Sequence, residues 1–331
     1  MSCHAILEYD ELRLFEEIGI DYVSLGSYLI PRKPVDPIRP PLNHTIDQEI
    51  LEHVPDRDNI PKSFFDMFDV IIIMHVPEWI EKNWDKMKHK KVIWRTIGQS
   101  TKAIEERMTK YRREGLKIIR YSPKEANIER TAGCDKIIRF YKDPDEFGKW
   151  IGAGNEVITI AQDMKHRAEY CNYDAFMKIA EGFNAKLYGP KNEESGEING
   201  GFLTYEQMKQ KMRDARVYVY TGTQPASYTL NLIESMMTGV PIVAIGPKLG
   251  NSLNIAGDLY EIPEIITNGV NGFWSDDLTK LRETITFLLK DKKSAERIGR
   301  AGRERAIELF GKDVIKEQWR KYLNETLWEN N

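Results

Sequence analysis

Cysteine is scarce in this chain: Cys3, Cys134 and Cys171 are odd in number and far apart. They make no disulfide framework, and a reducing compartment is the simple reading. Long apolar runs are missing as well. The longest, Val70 to Met74, falls far short of the roughly 20 residues that span a bilayer. No leader is expected, because Glu8, Asp10 and Glu11 follow the N-terminus at once. Together these absences predict a soluble, cytoplasmic protein, with peripheral membrane contact left open. There is no zinc-spaced Cys/His cluster, no phosphate loop ending in Gly-Lys-Ser/Thr and no Gly-x-Ser-x-Gly elbow. What is present is 331 residues with 41% apolar and 30% charged side chains. That composition excludes a disordered or collagenous chain and suits about two domains.

The net charge of −3 hides a strong asymmetry. Residues 1–81 carry 6 basic and 16 acidic side chains, net −10, whereas residues 82–142 carry 18 and 7, net +11. The remainder is nearly balanced at −4. A +11 stretch can attract an anionic acceptor, a membrane surface or nucleic acid, or it can form solvated helix faces that cancel on folding. Its candidate helix, Thr101 to Glu114, bears Lys102, Arg107, Lys110, Arg112 and Arg113 on more than one face. The expectation is therefore a broad electrostatic contact, with nucleic acid the less favoured partner.

Strand and helix patterns alternate as in a parallel α/β fold. The first part reads as a helix over Glu8 to Ile18, a strand over Asp21 to Leu25 and a proline-rich loop from Pro31 to Pro41. Strands follow at Phe68 to Met74, Lys91 to Trp94, Lys117 to Tyr121 and Lys136 to Phe140. No glycine-rich loop opens this unit, so the expectation is that its first strand is a truncated stub or that the chain begins late. Residues 142–154 read as a linker. A second series then runs through strands Glu156 to Ala161, Ala185 to Tyr188, Val217 to Tyr220 and Pro241 to Ile245. Helices Tyr173 to Gly182, Thr204 to Ala215 and Thr229 to Thr238 alternate with them, and three helices end the chain at about Trp328. The triplets Asp56-Arg57-Asp58 and Asp143-Pro144-Asp145 lie in polar loops and read as turns.

The most informative segment is Tyr228 to Gly246. A loop, Thr221 to Ser227, leads into a helix whose first N–H groups and positive dipole end suit a phosphate. Glu234, one turn in, can accept two hydrogen bonds from a ribose diol; an ordinary solvent-facing glutamate is the alternative.

The run ESMMTGVPIVAIG, then YEIPEIITNGVNGFW and RIGRAGRERAIELF, resembles the C-terminal half of the retaining family 4 of GT-B glycosyltransferases, the glycosyl transferases group 1. The motifs cover about residues 217–310. The resemblance implies two Rossmann-like domains facing across a cleft: an acceptor domain at 1–145 and a nucleotide-sugar domain at 146–311. A crossover helix at 312–331 would pack back on the first domain. It further implies transfer from a UDP- or GDP-sugar to an acceptor hydroxyl with retention, no metal and no cofactor beyond the donor.

Carried onto this chain, the family pattern gives Glu234 the donor ribose and the Tyr228, Thr229 and Leu230 amides the diphosphate. Arg167 would neutralise the leaving group, and Lys165 is a candidate to assist it. His75, ending the strand VIIIM, would touch the transferred sugar. Gly189, Phe202 and Leu203 are placed to flank a nucleobase, and Arg95 and Thr96 to face an acceptor. Two positions depart from the pattern: Ala226 stands where the first motif glutamate belongs, and no lysine follows Arg167 before Lys178. Three alternatives stand beside this reading: a transferase acting on modified DNA bases, a nucleotide-sugar 2-epimerase and a non-catalytic binder.

Overall fold

The computed structural model describes residues 4–26 and 60–328, with side chains of 326–328 excluded. The Pro31–Pro41 loop, Asp56-Arg57-Asp58 and Cys3 lie outside the described residues. The chain divides into two units, Met1–Phe140 with Ile315–Asn331, and Tyr141–Val314.

The first unit opens with α1 (Ala5–Glu17), capped by His4 and burying Leu7, Leu12, Leu14 and Phe15. The strand expected over Asp21 to Leu25 is not formed. That segment pairs with no described strand; it lodges Leu25 in the core with Val23 against it, and Tyr22 and Ser24 bond Glu16 and Glu8 of α1. After α2 (Lys62–Asp66) come β1 (Val70–Met74), α3 (Pro77–Met87), β2 (Lys91–Arg95), α4 (Lys102–Arg113), β3 (Lys117–Arg120) and a short β4 (Lys136–Ile137). The four strands are parallel in the order β1-β2-β3-β4. Helix α3 was not anticipated, yet Pro77 at its first turn is no obstacle, since that N–H has no helical partner anyway. Trp84, Trp94, Met108 and Ile118 fill the space between helices and sheet.

The basic stretch is largely spent in ion pairs. Arg107 bridges Glu78 and Glu81, Lys102 meets Glu129, Arg112 meets Asp135 and Arg130 meets Glu106. Arg120 holds Glu105 with two bonds of 2.6 Å, both side chains wholly buried. Burial pushes the Glu105 carboxyl up, but Arg120 and bonds from Ala132 and Ser100 outweigh it and hold it below the usual range. Lys110 and Arg113 remain exposed on α4, outside any ion pair among the described residues.

Beside this pair lies Glu125, fully buried. Its Oε2 accepts from Thr96 Oγ1 at 2.5 Å and Tyr121 N–H at 3.1 Å, while Oε1 finds no partner among the described residues. Burial raises its pKa from 4.5 to about 7, with Arg120 opposing. The folded state therefore holds a proton that the unfolded chain has released between those values. Stability should fall by about 3 kcal/mol as pH rises from about 4.5 to 7 through this group alone. In Glu125→Gln that loss should vanish. Hydrogen exchange of the β3 amides against pH would read it, and parallel profiles for both proteins would refute it.

The second unit contains β5 (Val157–Ile160), α5 (Ala168–Cys171), α6 (Tyr173–Ala180), β6 (Ala185–Tyr188), β7 (Asn199–Gly201), α7 (Tyr205–Asp214), β8 (Val217–Tyr220), α8 (Leu230–Thr238) and β9 (Ile242–Ile245). It continues through α9 (Pro247–Gly250), α10 (Ile262–Ile265), β10 (Phe273–Ser275), α11 (Leu278–Lys290) and α12 (Lys292–Phe310). All six strands are parallel in the order β10-β9-β8-β5-β6-β7. Helix α8 ends on Gly239 in the left-handed region at φ +86°. There α12 crosses so closely that a Cβ at Gly299 would strike the Gly239 carbonyl.

The last helix, α13 (Lys312–Trp328), begins in the second unit and joins the first from Ile315 onward. Its Trp319 ring stands edge-on to Phe15 at 5.2 Å, and Lys316 reaches Glu17 at 3.3 Å.

Candidate active site

In the second sheet the chain starts at β5, runs outward to β7, then returns to β8 on the other side of β5. The loops leaving β5 and β8 therefore part company in opposite directions. In open parallel sheets, ligands settle in the crevice that forms beyond the carboxyl ends of such a strand pair. The sequence candidates Lys165 and Arg167 lie on the loop after β5, and Tyr228, Thr229 and Leu230 on the loop after β8.

Arg167 is half-buried at the start of α5, its Nη1 resting 3.3 Å from the Gln162 carbonyl. Lys165 turns elsewhere, donating to the Glu194 carbonyl at 2.9 Å. His166 between them meets Asp163 at 2.6 Å and Glu194 at 3.3 Å, and the Asp163 bond raises its pKa. Gly189 closes against the same loop. At φ +128° a Cβ there would collide with the Ala161 carbonyl, so only glycine fits.

Across the switch point, α8 has no side chain capping its N-terminus. The Thr229 N–H, expected to be open to a phosphate, instead donates to Tyr220 Oη at 3.0 Å. Burial pushes the Tyr220 hydroxyl up to about 12, so it stays a neutral phenol. That amide is thereby spent, and the first helical turn begins at Leu230. Tyr228 is buried with its ring 5.1 Å from Phe310.

Several positioning residues were not singled out in the sequence. Asn192 clips the two loops by donating to Ala161 and Gly189 carbonyls at 2.7 and 3.0 Å. Asn231 donates to the Ile160 carbonyl at 2.5 Å, fastening α8 to the end of β5. Asn172, within the stretch where the family pattern has its lysine, donates to the Thr221 carbonyl at 3.1 Å. Gln224 donates to Ser252 Oγ at 2.9 Å and accepts from the Leu253 N–H. Gln224 stands next to Pro225 and Asn192 two residues after Pro190, whereas Asn172 and Asn231 carry no such local signal.

Glu234 is not solvent-facing. It is buried, with Lys142 Nζ 2.8 Å from Oε1. Phe202 is 57% exposed beside β7, where a planar base can lie on it, and Leu203 is half-buried. Asp143 and Asp145 form a turn, Asp143 accepting from the Asp145 N–H at 3.0 Å and pairing with Lys312. No group of three or more metal-ligating side chains is found among the described residues.

In the first unit, two acceptor candidates are corrected. Arg95 is fully buried: its Nε donates to Glu11 at 2.8 Å and its guanidinium lies 4.4 Å from the Phe140 ring. Thr96 is buried against Glu125. Both serve the core. His75 differs from them. It sits at the carboxyl end of β1 with φ +66°, pinned there by the Arg95 carbonyl and the Trp94 indole. Its Nδ1 is buried without a hydrogen-bond partner among the described residues, and burial lowers its pKa. A side chain held in that uncommon backbone region, with one nitrogen unspent, has the marks of a ligand contact.

Residues 198–305 match the family described as Glycosyl transferases group 1. The chain is also similar to the α-maltose-1-phosphate synthase of Mycobacterium tuberculosis, at 31% identity over 124 residues. That match takes in 35% of this chain and only 29% of the relative's length. Among solved structures, sucrose-phosphate synthase from Thermosynechococcus elongatus aligns with TM-score 0.64 at 15% identity, over 85% of this chain and 80% of that one. A glycosyltransferase from Rickettsia africae gives 0.61 at 11% identity, over 97% and 88%. Anabaena HepE in complex with UDP gives 0.59 at 15% identity, over 80% of both chains. No helix among the described residues is long and apolar enough to cross a membrane.

Proposed function

From a chain that carries a glycosyl transferases group 1 domain on a GT-B fold, we propose that the protein transfers a sugar from a UDP- or GDP-sugar to an acceptor hydroxyl. The observation that carries this reading is the open N-terminus of α8 beside the Arg167 loop, at the switch point of the second sheet. Negative charge grows on the departing phosphate in the transition state. A guanidinium and first-turn N–H groups fixed in advance lower that barrier. They supply positive charge without a metal, and the departing phosphate is the base that takes the acceptor proton. Attack and departure then share one face of the sugar, so the anomeric configuration is retained. Glu234 receives the ribose and Phe202 the base.

The UDP complexes of HepE support a nucleotide-sugar as donor. On α4, Lys110 and Arg113 are exposed and outside any ion pair among the described residues, and they are that helix's cations left to meet an anionic acceptor or membrane surface. With so much of its charge consumed in ion pairs, that stretch no longer favours a DNA acceptor.

Thermal unfolding with UDP, GDP and their sugar conjugates tests the proposal. A ligand at 100 times its dissociation constant adds about 2.7 kcal/mol, so one nucleoside diphosphate and its sugars should raise the melting temperature by several degrees. The sugar donor that does so should release nucleotide only when an acceptor is supplied. Donor isomerised in the absence of acceptor would indicate an epimerase, and no shift with any nucleotide would remove the donor site.

A further inference from the structure

Glu234 belongs to α8, but its partner comes from the start of the unit, ninety-odd residues earlier. Both side chains are almost inaccessible, at 2% for Lys142 and 4% for Glu234. Lys142 is itself held on its backbone. Its N–H donates to the Phe310 carbonyl at 3.0 Å, and it forms a parallel bridge with Gly311. One residue along, Asp143 pairs with Lys312 at 2.6 Å. The same Phe310 bears on the Tyr228 ring just ahead of α8. The segment Phe310–Lys312 thus supports both Lys142 and the approach to the helix N-terminus.

We propose that Lys142 is a positioning residue for the donor ribose: it anchors one oxygen of Glu234 so that the carboxylate is presented to the ribose diol in a fixed orientation. This rests on the ribose reading of Glu234 given above. A long glutamate side chain without an anchor has several rotamers, and each one lost on binding costs affinity. A carboxylate offers about four acceptor sites, and the Lys142 ammonium is placed at Oε1. Lysine suits this role better than arginine, because a guanidinium fork takes a carboxylate at both oxygens. The family pattern concerns the glutamate; the anchor is read from this chain's own geometry.

The readout is ribose discrimination, the dissociation constant of 2′,3′-dideoxy-UDP divided by that of UDP, with the GDP pair run in parallel. In the unaltered protein the ratio should be about tenfold or more, the worth of hydrogen bonds to a charged group. Lys142→Arg keeps the charge and its pairing but occupies both oxygens, so the ratio should fall below about threefold. Lys142→Met removes the anchor and should do the same. A role confined to neutralising Glu234 would leave Lys142→Arg discriminating fully, and that result overturns the proposal.

Because either variant puts a buried pair at risk, a second measurement uses the unaltered chain. Hydrogen exchange at the Lys142 amide should slow several-fold on saturation with the nucleoside diphosphate and much less with its dideoxy analogue; equal effects overturn the proposal. If the unaltered protein binds both forms equally, the ribose reading itself falls. If it discriminates and folded variants discriminate equally well, only the role of Lys142 falls.

Discussion

Arg167→Ala is expected to lower kcat for sugar transfer by about 10²- to 10³-fold while raising the donor KM far less. The magnitude is that of removing one fixed donor aimed at developing negative charge, about 2.7–4 kcal/mol. The asymmetry follows from timing. On the proposed reading, a nucleotide-sugar already carries its diphosphate charge on binding, and the first turn of α8 shares in holding it. The additional charge released when the glycosidic bond breaks is then met chiefly by Arg167. Arg167→Lys should recover part of kcat, since an ammonium restores charge without the guanidinium fork. Steady-state kinetics with saturating acceptor would show it. A mutant with unchanged kcat and a raised donor KM would reduce Arg167 to a ground-state contact.

The second large effect is on the first unit. Arg120→Met should cost about 3–5 kcal/mol, because it strands the buried Glu105 carboxylate. The neighbouring Glu125 loses the cation that opposes its upward shift and is driven further toward its protonated form. Breaking one partner is worse than removing both. Arg120→Met combined with Glu105→Leu should regain most of the loss, since apolar replacement of a buried pair is often neutral. Hydrogen exchange in β2 and β3 would measure both variants. Equal destabilisation by single and double changes would mean that packing of Arg120 over Trp94, 5.4 Å from its ring centroid, matters more than the charge.

The second unit was the more legible from sequence, and for a local reason. Its apolar strands are short and unbroken, and the Gly239-Val240-Pro241 turn stops α8 where the next strand must begin. What stayed hidden depends on partners distant in the chain. Arg95 looks like a cation at a strand end until Glu11, 84 positions away, receives it. Thr229 looks open until Tyr220 is seen at its amide, and a tyrosine in an apolar strand reads simply as core. Glu234 has the same history with Lys142. The segment Asp21 to Leu25 erred in the opposite direction: its residues suit a strand, but no described strand pairs with it.

The return of the last helix to the first unit has a consequence for synthesis. Trp319 completes the environment of Phe15, and its ring lies 5.7 Å from the Arg95 guanidinium. Yet the whole of Tyr141–Val314 is translated between them. At about 5–20 residues per second, the nascent first unit waits on the order of ten seconds or more for its closing piece. During that interval Phe15 lacks its final cover, while the second unit, one unbroken stretch of chain, can gather its strands and buried ion pair. The first unit, begun earliest, is thus completed last.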